Sequence, residues 1–201
     1  MKVQFALAAI AAMITAFATH AKADVYKVDA AASTITWKAT KKVTGGHHGT
    51  VAVKEGTVDV NAKNEVTAAK VVADMAKIQN IDLAESPKDQ AKLVGHLSSP
   101  DFFDVAKKGN ETATFKLSKF AKKNGGWVAS GELTMIGQTH PVEFPVSVKV
   151  EKGTATADGT VKIDRTKWGL KYGSGDFFKE LTADKIINNE FEVGFKLVAK
   201  K

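Results

Sequence analysis

The chain has 201 residues, a formal net charge of +7 and no cysteine. Without cysteine there are no disulfides, no thiolate-held zinc and no lipidated cysteine, so a packed core must hold the fold unaided, which one domain of this length can do. Arginine occurs once, at Arg165, against 28 lysines, and this shortage of the preferred base-reading residue argues against a nucleic-acid partner.

Residues 1–23 read as a secretory signal peptide. Lys2 is followed by the apolar run Phe5 to Phe17, and Ala21-Lys22-Ala23 fits the small-x-small cleavage rule. His20 and Lys22 close that run short of the roughly 20 apolar residues a spanning helix needs. The expected mature protein is therefore a single exported domain, residues 24–201, in a bacterial periplasm or secreted. Losing Lys2 and Lys22 takes the formal charge from +7 to +5. The excess is dispersed lysine, a solvated surface open to anionic partners, including transient contact with a membrane surface.

From there the dominant period is two. "STITWKA" aligns Ile35, Trp37 and Ala39, and "TAAKVVADM" aligns Ala69, Val71, Ala73 and Met75. "SPKDQAKLVGHLSSP" breaks the alternation. Ser86 reads as an N-cap and Pro87 as the first helical residue, so a short helix is expected from Pro87 to Leu97, stopped before Pro100. Alternation resumes with Ala113, Phe115 and Leu117, then Trp127, Ala129, Gly131, Leu133 and Met135. It continues with Val142, Phe144, Val146, Val148 and Val150, then Ala155, Ala157, Gly159, Val161 and Ile163, and ends with Phe191, Val193, Phe195 and Leu197. Turn signals at Gly45-Gly46, Asn61 to Asn64, Asn124 to Gly126 and Lys152-Gly153 separate the segments. So many one-face-dry strands with hairpin-length links read as an all-β, antiparallel, up-and-down β-barrel with one short helix.

The dry face is undersized. Ala69, Ala73, Ala113, Ala129, Gly131, Ala155, Ala157 and Gly159 stand where a solid core would carry Leu, Ile, Val or Phe. An eight-stranded barrel is either plugged by its side chains or holds one ligand. The small residues point to a long apolar cavity for an acyl or isoprenoid chain; the competing reading is that they pack beneath larger residues opposite. Two other stretches match each other: Asp101-Phe102-Phe103 follows the helix and Asp176-Phe177-Phe178 follows a glycine-rich loop. Each Asp is expected to bond its own turn backbone, and each Phe pair to turn a ring inward and close a barrel end, as a gate or a simple cap.

"KLVGHLSSPDFFDV", "GELTMIGQTHPVEFPVSV" and "IDRTKWGLKYGSGDFF" resemble the YceI family of bacterial polyisoprenoid-binding, lipocalin-like periplasmic proteins. "YKVDAAASTITWKA" and "TATFKLSKF" add to the likeness, which covers nearly all of 24–201. The resemblance implies an extended lipocalin-like barrel, an amphiphilic lipid such as a polyisoprenoid or isoprenoid quinone inside it, and a homodimer. It also implies that the Gly137 to Pro141 segment links two strands and that Asp164-Arg165 ends another. Many relatives carry His before Ser in the first strand turn, where this chain has Ala32-Ser33, so any polar role of that His is missing.

Arg165 either clamps a phosphate or carboxylate head group or locks its loop by an ion pair with Asp164, Asp176 or Glu180. Trp168 and Tyr172 either line the mouth or anchor the loop. His47 and His48 are adjacent in a strand and should point to opposite faces, and no chelating His spacing occurs, so no metal site is expected. His96, on the helix before the first Phe pair, either meets a head group or packs. No nucleophile motif, paired carboxylates or phosphate loop is found, so neither catalysis nor a cofactor is expected. The expected function is binding of a long-chain amphiphilic lipid. The alternatives are stress-related sequestering of hydrophobic small molecules and an accessory enzyme acting on the bound lipid.

Overall fold

A computed structural model describes residues 23–123 and 125–201; the expected leader falls outside the described residues except for Ala23. Nine strands and one helix follow in order: β1 (Asp24–Val28), β2 (Thr34–Lys41), β3 (Gly46–Val60), β4 (Val66–Asn80), α1 (Pro87–Ser98), β5 (Thr112–Lys123), β6 (Gly126–Met135), β7 (Gln138–Glu151), β8 (Thr154–Asp164) and β9 (Ile187–Lys200). One 3-10 turn, Arg165–Trp168, follows β8.

All pairings are antiparallel. Each strand from β4 to β8 pairs with the next in sequence, β4 with β5 across the long link that carries α1; β9 pairs with β2, β2 with β3, and β3 with β4 to close the ring. β1 and β2 share one place in that ring. β1 pairs with the far end of β3 (Tyr26 opposite Val58) and the far end of β9 (Val28 opposite Ala199), beyond where β2 stops. The result is a closed eight-stranded barrel, the architecture expected from the alternation, and closure leaves no long unpaired edge.

The tight turns explain the register. Ile136-Gly137 joins β6 to β7 and Lys152-Gly153 joins β7 to β8, with both residues of each pair at positive φ (49° and 71°; 49° and 74°). That is the two-residue hairpin geometry that matches strand twist, and it needs Gly at the second position. α1 ends one residue later than expected. Ser86 sits at its N-cap position but makes no capping bond; its hydroxyl bonds the Asp89 carboxylate at 3.0 Å instead.

The alternation on β2 and β6 to β9 holds, with Ala129, Phe144, Ala155, Val161 and Ile163 buried and their polar neighbours outside; on β4 and β5 it holds over Ala69 to Met75 and Ala113 to Leu117, beyond which bulges turn Val66, Ile78 and Phe120 inward. β1 and β3 are the strands that the alternation does not supply, and β3 is concealed by bulges. Its pairing with β4 shifts register near Val51/Ala52, Val53/Glu55 and Asp59/Val60, and the extra β3 residue at the second shift moves its inward set from Val51 and Val53 to Val58 and Val60.

The inward glycines are not empty places. A Cβ on Gly131 would lie 2.6 Å from the Phe115 ring and would overlap the Lys116 carbonyl oxygen. A Cβ on Gly159 would lie 2.9 Å from the Phe195 ring and 2.8 Å from the Pro145 carbonyl oxygen. Phe115 of β5 therefore lies across β6, and Phe195 of β9 across β8. Both rings meet Phe144 of β7, at centroid distances of 5.3 and 5.5 Å. For these two positions the expectation of free space is corrected: a large neighbour fills it, as the competing reading had it.

Gly131→Ala tests this packing. Alanine ordinarily stabilises a strand relative to glycine, but here the new methyl meets a backbone oxygen that cannot move away. A net loss of about 1–3 kcal/mol is expected, seen as a fall of several degrees in Tm.

Candidate functional site

The six alanines of the dry face do leave room. Ala69, Ala73, Ala113, Ala129, Ala155 and Ala157 all line one internal cavity of about 270 Å³. Its wall runs the length of β9, from Ile187 through Phe191, Val193, Phe195 and Leu197 to Ala199. Twelve residue steps at about 3.3 Å, on strands tilted about 40°, make the cavity about 30 Å long. A volume of this size drawn out over that length is a tunnel with the bore of a single hydrocarbon chain.

The lining is almost wholly carbon; only Thr36, Thr156 and Arg165 are not hydrophobic residues. Three buried clusters surround the bore. One is built on Trp37, Val51, Met75, Ile78 and Leu97, a second on Ala129, Met135, Phe144, Ile163 and Trp168, and a third on Tyr26, Val60, Ala155 and Ala199. An aromatic row, Phe115, Phe144 and Phe195, crosses the wall with its rings tilted and edge-on to one another. Phe115 and Phe195 lie over Gly131 and Gly159, which lets them sit against the wall.

Of the residues singled out in the sequence, Trp37, Ala69, Ala73, Met75, Phe102, Phe103, Phe115, Ala129, Leu133, Phe144, Ala157, Arg165, Phe191 and Phe195 meet on this tunnel. Gly131 lies beneath the Phe115 ring. Trp127 lies beyond the lining, stacked on Phe120 (4.6 Å, 5° between planes), with Lys122 Nζ 5.3 Å from its ring. Trp168 anchors the 3-10 turn: it is buried, and its indole N–H donates to the Leu133 carbonyl at 3.1 Å. Tyr172 is half exposed and packs edge-on against His96 (4.6 Å), and both rings abut Phe102. His96 is therefore a packing residue that bridges α1 to the β8–β9 loop, with Nε2 3.2 Å from Asp101 Oδ2.

Arg165 makes no ion pair among the described residues, which corrects the expected bond to Asp164, Asp176 or Glu180. Its Nε donates to the Asn188 carbonyl and its two terminal nitrogens to the Ile187 and Leu170 carbonyls. It is only 3% exposed, and burial lowers its pKa, with the nearby Asp164 charge opposing that shift. One cation thus ties the 3-10 turn, the loop after it and the start of β9 together. Its guanidinium nitrogens are engaged by the backbone, and what it adds to the tunnel is mostly its stem.

The two Phe pairs share a turn that the sequence reading credited to the wrong residue. In Ser99-Pro-Asp-Phe-Phe and Ser174-Gly-Asp-Phe-Phe, the Asp N–H lies 3.3 Å from the serine hydroxyl, and the next N–H donates to the serine carbonyl. The Asp carboxylates point elsewhere, to His96 and to Asn189. The Phe rings also diverge. Phe102 and Phe103 line the tunnel, whereas Phe177 and Phe178 are 48% and 38% exposed and close nothing. The recurring serine, two residues before each Asp, was the signal for the turn.

Residues 26–199 match the YceI-like domain. The chain belongs to that family. A UPF0312 protein of Vibrio cholerae is 35% identical over 72 residues, 35% of this chain and only 37% of that relative's length. Among solved structures, Burkholderia cenocepacia BcnA aligns with a TM-score of 0.65 at 24% identity, over 86% of this chain and 99% of BcnA. A polyisoprenoid binding domain from Saccharophagus degradans aligns with a TM-score of 0.59 at 16% identity, over 87% and 97%. The YCEI protein of Campylobacter jejuni gives 0.54 at 16%, over 74% and 82%. At these identities the neighbours establish a shared fold.

The YceI-like barrel has a polar knot at one rim. His47 and His48, expected to face apart, both approach Asp82, with Nδ1 atoms at 2.8 and 3.7 Å from its two oxygens. The carboxylate also accepts the His48 backbone N–H at 2.8 Å and the Asn80 side-chain amide at 2.6 Å. Burial pushes its pKa up, but the bonds from His48, His47 and Asn80 outweigh that and lower it to about 2. A carboxyl whose pKa is depressed on folding stabilises the fold above its unfolded pKa and loses that contribution as pH falls through the folded value. Asp82→Asn should therefore cost up to about 2 kcal/mol at neutral pH. In denaturant titrations, the gap from the parent protein should narrow between about pH 4 and pH 2.

Proposed function

We propose that this protein is an exported carrier or store for a long-chain amphiphile of the polyisoprenoid type, including isoprenoid quinones, held with its hydrocarbon chain along the barrel axis. The observation that carries the reading is the tunnel itself: about 270 Å³, one chain wide, and walled by hydrophobic side chains from one end of β9 to the other. Burying each methylene is worth about 0.8 kcal/mol, so several prenyl units would bind with no polar contact. The nearly all-carbon wall leaves no partner for a polar head, so the head group stays outside the bore. The Saccharophagus degradans neighbour, described as a polyisoprenoid binding domain, supports the same class of ligand. Family membership supports a periplasmic domain released from its leader. On this reading the function is binding, which the nearly all-carbon lining supports.

Ala129 and Ala157 face the bore from β6 and β8. Ala129→Leu with Ala157→Leu should reduce stoichiometric uptake of a polyprenyl probe at least tenfold while far-UV circular dichroism and cooperative unfolding are retained. Unchanged uptake by the folded double variant would overturn the reading. Mass spectrometry of lipid extracted from natively purified protein then identifies the chain and head group.

A further inference from the structure

The two ends of the barrel differ. At one end the connections are short, such as the Lys152-Gly153 turn. At the other lie the β2–β3 turn, the segment carrying α1, and the long β8–β9 loop, residues 165–186. Five large hydrophobic side chains stand exposed at this second end: Val43 (58%), Ile81 (47%), Tyr172 (42%), Phe177 (48%) and Phe178 (38%). Among the described residues, Val25 is the only other such side chain.

The Phe177-Phe178 pair is held outward by a built frame. Ser174 is fully buried, and its hydroxyl donates to Asn189 Oδ1 at 2.7 Å. Asn189 in turn donates to Asp176 at 2.6 Å, and Ile187 N–H donates to the Gly173 carbonyl at 2.8 Å. Leu170 and the Arg165 guanidinium bury the root of the same loop. The same serine-anchored turn that sends Phe102 and Phe103 into the tunnel thus presents Phe177 and Phe178 to solvent. Exposed apolar rings on a fixed loop lower the stability of an isolated domain, and contiguous exposed apolar surface of this kind marks an interaction site.

The surrounding charge says which partner fits. Lys171 Nζ sits 4.7 Å from the Phe177 ring centroid, and Lys179 and Lys185 follow on the loop. Lys42 N–H donates to the Ile186 carbonyl at 2.9 Å, which brings the turn holding Lys41, Lys42 and Val43 to the same edge. Asp176, Glu180 and Asp184 offset three of these five lysines, so a modest basic excess surrounds the aromatic pair. Aromatic rings that insert at the headgroup boundary, ringed by lysine, suit an anionic lipid surface. Phe102 links this end to the cargo site: it lines the tunnel and lies 5.3 Å from the half-exposed Tyr172.

We propose that this end of the barrel docks on a bilayer containing anionic phospholipid, with Phe177 and Phe178 as the inserted pair and Lys42, Lys171, Lys179 and Lys185 meeting the headgroups. The inference rests on the cargo reading above, because a chain too apolar to cross water alone must enter and leave the barrel at a membrane.

The test is co-sedimentation of the purified protein with vesicles of phosphatidylcholine alone or mixed with phosphatidylglycerol, neither containing isoprenoid. Binding to the mixed vesicles is expected. Phe177→Ser with Phe178→Ser should weaken it by about tenfold or more, and Lys171→Gln with Lys179→Gln should remove most of the preference for phosphatidylglycerol. Uptake of a polyprenyl probe in vesicle-free buffer should be unchanged in both variants. Probe uptake by a parent protein that ignores the vesicles, or equal vesicle binding by the Phe variant, would overturn docking and leave the cargo reading standing. Vesicle binding without probe uptake would support docking and overturn the cargo reading. Sedimentation velocity covers the remaining occupant: a dimer that the Phe substitutions dissolve would assign this surface to a second copy of the chain and overturn the proposal.

Discussion

Two phenylalanine rings that lie over glycines keep this barrel hollow. Phe115 of β5 and Phe195 of β9 both reach toward Phe144 of β7, and the strand between must carry no side chain where each ring crosses it. Gly131 of β6 and Gly159 of β8 meet that need. With any larger residue there, the rings would have to stand up into the axis, and the barrel would be the plugged kind. Aromatic mass in the wall supplies apolar burial for folding, while the alanines around it keep the bore one chain wide.

The polar chemistry inside the molecule serves that shell. Arg165 is the only arginine of the chain, and its planar fork reaches three carbonyls on separate segments, a task lysine's single ammonium performs poorly. Asp82 gathers His47, His48 and Asn80 at the rim where β3 starts and β4 ends. Ser174 and Asn189 fix the loop that follows Arg165. These bonds hold the loop-bearing end of the barrel in shape around a tunnel that contains almost no polar atoms. Position in the chain was a weak guide to many of their partners, because bonds such as His47 to Asp82 and Arg165 to Asn188 join segments more than 20 residues apart.

The strands, the helix and the barrel class were legible because one period governs them: a residue that faces the dry side on β2 or β7 recurs every second position, as Trp37 and Phe144 show. β3 was not legible, since its bulges against β4 reverse the inward parity within one strand. The tunnel was legible from its alanines and misread at its glycines, because a missing side chain signals space only until a neighbour's ring is known to occupy it. The Phe pairs were the sharper failure. Similar serine-anchored turns lead Phe102 inward and Phe177 outward, and the neighbours that differ, Pro100 and Val105 against Gly175 and Glu180, do not announce the direction by themselves.

The sequence by itself determined the alternating faces, the turn positions, the apolar character of the interior and the family to which the chain belongs. Those properties are local, written in the order of side chains along each strand. Tertiary structure alone decided which rings cover which glycines, which carbonyls Arg165 holds and which aromatic pair meets solvent. Those outcomes depend on strand register and on loops folding back across the barrel rim, and both are fixed only when the ring of eight strands closes.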